Sequence, residues 1–289
     1  MARLGDRHPE GTAGDWFVDT HCFDCDAARN VAPGLIARNP ADGVSLFARQ
    51  PETPEEVEMA WRAVMVCPTR SVGHVTLKRP ESAVFPEDLG DGVFRLGHNS
   101  KDSFGAHSYL VQRDPGNLMI DAPRWTRDVY EPLDEMGGLA HILLSHSDDV
   151  ADADRYAERY GARVWIHEDD KTAAPYASDI LVGRESTEIR NDVVAFPVPG
   201  HTKGSVLYLV DGHLLFSGDS LSWSPEHENL MAFRRACWYS WDEQMLSLGR
   251  FARSDLRFDR LFCGHGWNHD ASAAELNAHV LHLVRRGSS

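Results

Sequence analysis

From about residue 92 onward the chain is filled by strand-length apolar runs, set between turn residues and interrupted by stretches of helical spacing. Residues 92–98, 107–112 and 117–121 read as a meander of short strands. Residues 125–136 and 153–160 read as helices, and 142–145, 163–167 and 193–198 as strands. The runs 205–210 and 213–217 flank Asp211-Gly212, a pair that tolerates positive φ and so favours a tight hairpin. Helices are expected over 242–253 and 273–285, with a strand over 260–263 between them. Strands alternating with helices in this way predict a layered α/β domain, and no internal repeat is visible.

The first 90 residues follow another pattern. A strand over 44–49 precedes Thr53-Pro54-Glu55-Glu56, a capping box with proline in the first helical position. Val57, Ala60, Trp61 and Val64 then supply one apolar face. The stretch 78–92, rich in Pro, Gly and acidic residues, reads as a linker. With 289 residues in all, two units are expected, 1–86 and 87–289.

Composition narrows the function. The 42% apolar and 25% charged fractions are those of an ordinary globular protein. A net charge of −15 with no Lys/Arg-rich stripe argues against nucleic acid as a partner. No apolar run is long enough for a membrane span, and the first residues lack the apolar stretch of a secretory signal, so a cytoplasmic location is expected. Five cysteines, an odd number, read as thiols or metal ligands rather than a disulfide framework.

The chemistry concentrates in four segments that each end an apolar run with a potential metal ligand: Leu144-Ser-His-Ser-Asp-Asp-Val-Ala-Asp152, Val198-Pro-Gly-His-Thr-Lys-Gly-Ser205, Phe216-Ser-Gly-Asp-Ser220 and Phe262-Cys-Gly-His-Gly266. An α/β scaffold can bring such loops to one rim. In order, spacing and context they resemble the ligand motifs of the metallo-β-lactamase superfamily, over roughly residues 92–289. The resemblance implies an αββα sandwich with a metal site along one edge. It assigns His146, Asp148, His201, Asp219 and His265 as metal-site residues. Where the family motif reads His-x-His-x-Asp-His, this chain has Asp148 for the second His, and Val150 and Ala151 for the Asp and His of a second metal. One Zn or Fe ion is therefore expected. Asp149 and Asp152 are the candidate catalytic carboxylates of that segment, with a solvated loop and a helix N-cap as their structural alternatives.

The N-terminal run Phe17-Val-Asp-Thr-His-Cys22-Phe-Asp-Cys25-Asp-Ala-Ala28, with Cys67-Pro68 beyond it, resembles a ferredoxin cluster pattern. This implies a small α+β ferredoxin-like domain. Ala28 stands in the place of the third cysteine, so Cys22, Cys25 and Cys67 would hold an iron–sulfur cluster incompletely, hold another metal, or serve as packing residues. His21 and His74 are the available substitutes for a fourth ligand.

Three functions are compatible with these residues. The first is hydrolysis of a small-molecule ester, thioester, amide or phosphoester at a single-metal site. The second follows from His146, His201 and Asp219 as a two-His, one-carboxylate set, which suits mononuclear non-haem iron oxidoreductase chemistry. The third is non-catalytic metal binding. Arg234, Trp238 and Tyr239, in an aromatic and cationic stretch, are candidates to line a pocket for an anionic or aromatic small-molecule substrate.

Overall fold

The computed structural model describes residues 2–76, 80 and 83–288; Lys78, Arg79, Glu81 and Ser82 of the expected linker lie outside them. Two sheets stack face to face between outer helices, the expected αββα layering. Across the first sheet run Asp179–Leu181, Arg163–His167, His141–Leu143, Leu118–Ile120, Tyr109–Val111, Val93–Arg95 and Glu87–Asp88. The strands from Leu118–Ile120 to Asp179–Leu181 pair in parallel, and the meander pairs antiparallel. The second sheet holds Thr187–Arg190, Val193–Pro197, Val206–Val210, Leu214–Phe216, Arg260–Phe262 and His269–Asp270, in that order.

Alternation along these strands decides where the core lies. Tyr109, Val111, Ile120 and Leu143 of the first sheet meet Ala195, Val206, Tyr208 and Phe216 of the second in a buried inter-sheet layer. The opposite face of the first sheet, with Leu110, Met119 and Ile142, is covered by the helices Arg127–Glu135 and Ala153–Tyr160. The helices Trp241–Arg253 and Ala273–Gly287 cover Leu207, Leu209 and Leu215 of the second. Helix 273–287 opens on a complete capping box, Ser272 with Glu275.

The expected helix over 125–136 runs from Arg127 to Glu135, and just before it the Trp125 N–H donates to Asp152 Oδ2 at 2.6 Å. Asp152 takes the expected N-cap position of helix 153–160 without a side-chain capping bond, and its carboxylate turns away from the helix. Several edge and hairpin strands, such as Thr187–Arg190 and the pair Ser222–Ser224 and Asn229–Met231, have no apolar alternation to announce them.

The N-terminal lobe has its own core, in which Trp16, Phe47, Trp61, Val66 and Phe85 surround the short helix Ala27–Val31. Its helix Pro54–Val66 forms half of the expected capping box: Thr53 accepts from the Glu56 N–H, while the Glu56 carboxylate turns to the Glu52 N–H and Arg49. Two antiparallel pairs complete the lobe, Trp16–Val18 with Val72–His74 and Ile36–Arg38 with Ser45–Phe47. Among the described residues no helix is long and apolar enough to cross a membrane.

Candidate metal centre

The ladder between Leu214–Phe216 and Arg260–Phe262 continues past the strand ends: the Ser217 N–H donates to the Phe262 carbonyl, and the Gly264 N–H to the Gly218 carbonyl. Asp219 and His265 are thereby delivered side by side. On the first sheet, His141–Leu143 feeds Ser145 and His146 to the same edge, where the Ser145 carbonyl accepts the Val206 N–H and ties the two sheets together.

His146 Nε2 lies 3.9 Å from Asp219 Oδ2, His201 Nε2 3.7 Å and His265 Nε2 3.9 Å. His146, His201 and Asp219 each offer one donor atom within 4.8 Å of the others, the single such set among the described residues. One ion about 2.0–2.2 Å from each atom spans up to about 4.4 Å, which covers the 3.9 and 3.7 Å separations of His146 and His201 from Asp219. His146 Nε2, His201 Nε2 and Asp219 Oδ1 are buried and have no hydrogen-bond partner. Leaving such groups unmatched costs on the order of 1–3 kcal/mol each, and a bound cation would satisfy both imidazoles, with Asp219 Oδ2 the carboxylate oxygen that faces them. The donor set fits a metal.

The tautomer of His146 follows from its neighbours. Ser145 Oγ donates to Asp121 Oδ2 at 2.8 Å, so its lone pair accepts from His146 Nδ1–H at 2.8 Å, and Nε2 is left bare toward Asp219. Burial lowers the His146 pKa to about 4, which keeps the ring neutral, while burial pushes Asp121 up to about 7 against two hydrogen bonds from Ser145. Gly218, at φ 50°, makes room: a Cβ there would sit 2.3 Å from Ser145 Oγ. For Asp219, burial is outweighed by His265, His146 and His201, which hold its carboxyl below the usual range.

Asp170 carries no motif in the sequence, yet it joins two ligand loops. Its buried carboxylate accepts from the Ser147 N–H at 2.9 Å, from Thr202 Oγ1 at 2.5 Å and from the Gly204 N–H at 3.1 Å. The only sequence signal is its place after the strand Arg163–His167.

Asp148 stands 3.5 Å from His201 Nε2 and is half exposed; the imidazole holds its carboxyl down to about 2. Asp149 corrects the solvated-loop reading. The turn Ser147–Asp149 carries it inward to 1% exposure, where neither carboxylate oxygen has a hydrogen-bond partner and His146 Nδ1 lies 3.9 Å from Oδ2. It shares with Asp219 the space beside Gly264, and burial followed by Asp219 raises its pKa well above the carboxylate range. The donor-free Val150 and Ala151 pack against the apolar layer outside the first sheet. Asp152, bound to Trp125, is not among the cavity-lining residues, in contrast to its candidate catalytic role.

A cavity of about 590 Å³ opens over this floor. Its walls include Phe104, Phe233, Arg235 and Trp238, and Asp24, Cys25 and Asp26 from the N-terminal lobe. Of the three residues named for the pocket, Trp238 lines this cavity, and Arg234 and Tyr239 are not among its lining residues. Arg234 lies over the Trp241 ring at 5.4 Å, and Tyr239 serves through its backbone N–H, which donates to the His201 carbonyl at 3.2 Å. The cation in the wall is Arg235, which is exposed and has no ion pair among the described residues.

In the N-terminal lobe, Cys22 Sγ accepts the Ser45 N–H and Cys67 Sγ the Ser71 N–H, while Cys25 is raised by burial and then by Cys67. Ala28 is buried and has no donor atom. His21 turns to Asp19 at 3.4 Å, and His74 to Thr76 Oγ1 at 3.0 Å. Three thiols without a fourth protein ligand do not fit a four-cysteine cubane.

Known proteins share these patterns. Residues 95–277 match the sequence profile "Metallo-beta-lactamase superfamily", and residues 18–74 match "4Fe-4S single cluster domain of Ferredoxin I". A hydroxyacylglutathione hydrolase of Anaeromyxobacter dehalogenans is 37% identical over 106 residues, covering 35% of this chain and 34% of that protein. The uncharacterized protein YmaE of Bacillus subtilis is 26% identical over 128 residues, 42% of this chain and 47% of its own. The chain spans less than half the length of either relative. The DIM-1 metallo-beta-lactamase structure superposes with a TM-score of 0.52 at 18% identity, over 70% of this chain and 97% of its own, a likeness of fold.

Proposed function

The chain belongs to the metallo-beta-lactamase superfamily, and from that premise we propose that it is a metal-dependent hydrolase of a small-molecule ester, thioester, amide or phosphoester. The observation that carries this reading is the convergence of the bare, buried imidazole nitrogens of His146 and His201 with the Asp219 carboxylate on the floor of a cavity large enough for a small ligand. Similarity to a protein named hydroxyacylglutathione hydrolase favours hydrolytic use.

His146, His201 and Asp219 would hold one ion, with His265 beside Asp219 and Asp148 beside His201. When bound, such an ion lowers the pKa of its water and polarises the scissile group. Asp149 is the carboxylate free to move a proton, since its oxygens are buried without donors and share the space at Gly264 with Asp219. Phe104, Phe233 and Trp238 seat an apolar part of the substrate, and Arg235 meets an anionic one.

The same two imidazoles and carboxylate suit Fe(II), so mononuclear iron oxidoreductase chemistry is the second reading. Elemental analysis of anaerobically purified protein, with turnover assays against ester and thioester panels, separates the two. Zn near one per chain and oxygen-independent turnover, both lost in His201→Ala, support hydrolysis. Iron with substrate-dependent oxygen uptake overturns it.

A further inference from the structure

The N-terminal lobe contributes more than cavity wall: three of its residues grip the loop that carries His265. The Gly266 N–H donates to Asp26 Oδ2 at 3.0 Å, and the Gly266 carbonyl accepts from Asn30 Nδ2 at 2.6 Å. Asn30 Nδ2 also donates to Asp26 Oδ1 at 3.1 Å, which closes the grip within the lobe. One residue earlier, His265 Nδ1 lies 3.2 Å from the carbonyl oxygen of Cys25, with Asp26 Oδ1 at 3.7 Å. A carbonyl only accepts, so Nδ1 carries the hydrogen and Nε2 is turned toward Asp219.

The grip is built at some conformational expense. Asp24 and Asp26 both take left-handed backbone at φ 63°, an arrangement costing on the order of 1 kcal/mol or more for a non-glycine residue. Packing secures it: Cys25 Sγ approaches so near that a Cβ on Gly105 would sit 2.9 Å away. The Phe23 ring meets Phe104 at 4.5 Å, and Phe104 meets His265 at 5.9 Å.

We propose that the segment 25–30 of the N-terminal lobe is the positioning element of the metal centre: Cys25, Asp26 and Asn30 aim His265 into the coordination space, so that metal binding and docking of the lobe are coupled. The proposal rests on the metal centre assigned above. Coupling between two sites is reciprocal, so an ion that recruits His265 tightens the grip on segment 25–30, and loosening that grip weakens the ion. Removing the outer partner of a metal-binding histidine typically costs about 10–100-fold in affinity.

The test uses the full chain. Zn affinity is measured by chelator competition for wild type, Asp26→Ala, Asn30→Ala and His201→Ala, and coordination geometry by the visible absorption of the Co(II) forms. Hydrogen exchange of residues 25–30 is followed with and without Zn in wild type and His265→Ala. Expected are a loss of affinity of about tenfold or more in Asp26→Ala or Asn30→Ala with an altered Co(II) spectrum. Exchange should slow with Zn in wild type and not in His265→Ala. If His201→Ala loses the metal while both lobe variants bind as wild type, or while exchange over 25–30 ignores Zn, the positioning role is overturned and the metal centre stands. If His201→Ala binds Zn unchanged, the metal centre itself fails. Should Asp26→Ala not fold, the exchange comparison on wild type and His265→Ala decides alone.

Discussion

The backbone N–H of Trp238 donates to the carbonyl of His201 at 2.8 Å, so the aromatic lip of the cavity is fastened to the loop that presents an imidazole to its floor. The bond uses main-chain atoms and survives side-chain truncation. Trp238→Ala is therefore expected to keep metal stoichiometry and raise KM by about tenfold for substrates with an apolar group, the equivalent of roughly 1.4 kcal/mol. Steady-state kinetics beside elemental analysis check it, and loss of metal would contradict it.

Asp149 and Asp152 separate the two carboxylates that the sequence offers for catalysis. Asp149→Asn should lower kcat by about 100-fold with metal content unchanged, whereas Asp152→Asn should affect kcat little and destabilise the fold modestly. Equal effects on kcat would remove the distinction.

Asp170 should matter for stability before it matters for chemistry. Asp170→Ala strands three donors in the interior, at an expected cost of about 3 kcal/mol or more to the metal-free protein, read from denaturant unfolding.

Asp121 gives the metal-free protein a pH signature. Its carboxyl titrates at about 7 when buried, and near the ordinary value of 3.8 once the chain unfolds. The folded form thus holds the extra proton between those values. Asp121 contributes most to stability below pH 3.8, and the contribution is lost as pH rises to about 7. Relative to Asp121→Asn, wild type should lose stability over that window and run parallel above it. Thermal unfolding of both proteins at successive pH values measures the difference.

Metal loading should stabilise the fold by mass action, by about 2.7 kcal/mol when free Zn is 100 times Kd. A chelator should reverse the gain, and His201→Ala should show none. Calorimetry with and without Zn is sufficient.

The ligand motifs are legible because each closes an apolar strand, and the sandwich forces strand ends onto one edge. His146, His201, Asp219 and His265 stand out through that placement together with the resemblance of the four segments, in order, to a known set of ligand motifs. The phase of tight turns is not legible in the same way. Ser147–Asp149 and Arg234–Ala236 are single turns of 3₁₀ helix in which adjacent residues share one chemical type, and nothing local says which faces inward. A solvated loop is therefore as reasonable for Asp149 as the buried place it takes, and Arg234 as reasonable a pocket cation as Arg235. Asp170 and Asp26 escape for a different reason. Their partners lie 23 to 34 and 240 residues away, so only the folded chain reveals the acceptor role.

A chimaera whose first lobe came from a distant relative would inherit the floor of the cavity without one of its sides. Asp24, Cys25 and Asp26 would be replaced, and bulk water would flood the trench above His265. In that wetter surrounding the charges on the floor would be screened and act more weakly on a bound substrate. The two lobes are therefore expected to drift together over generations, each substitution at their seam answered by another across it.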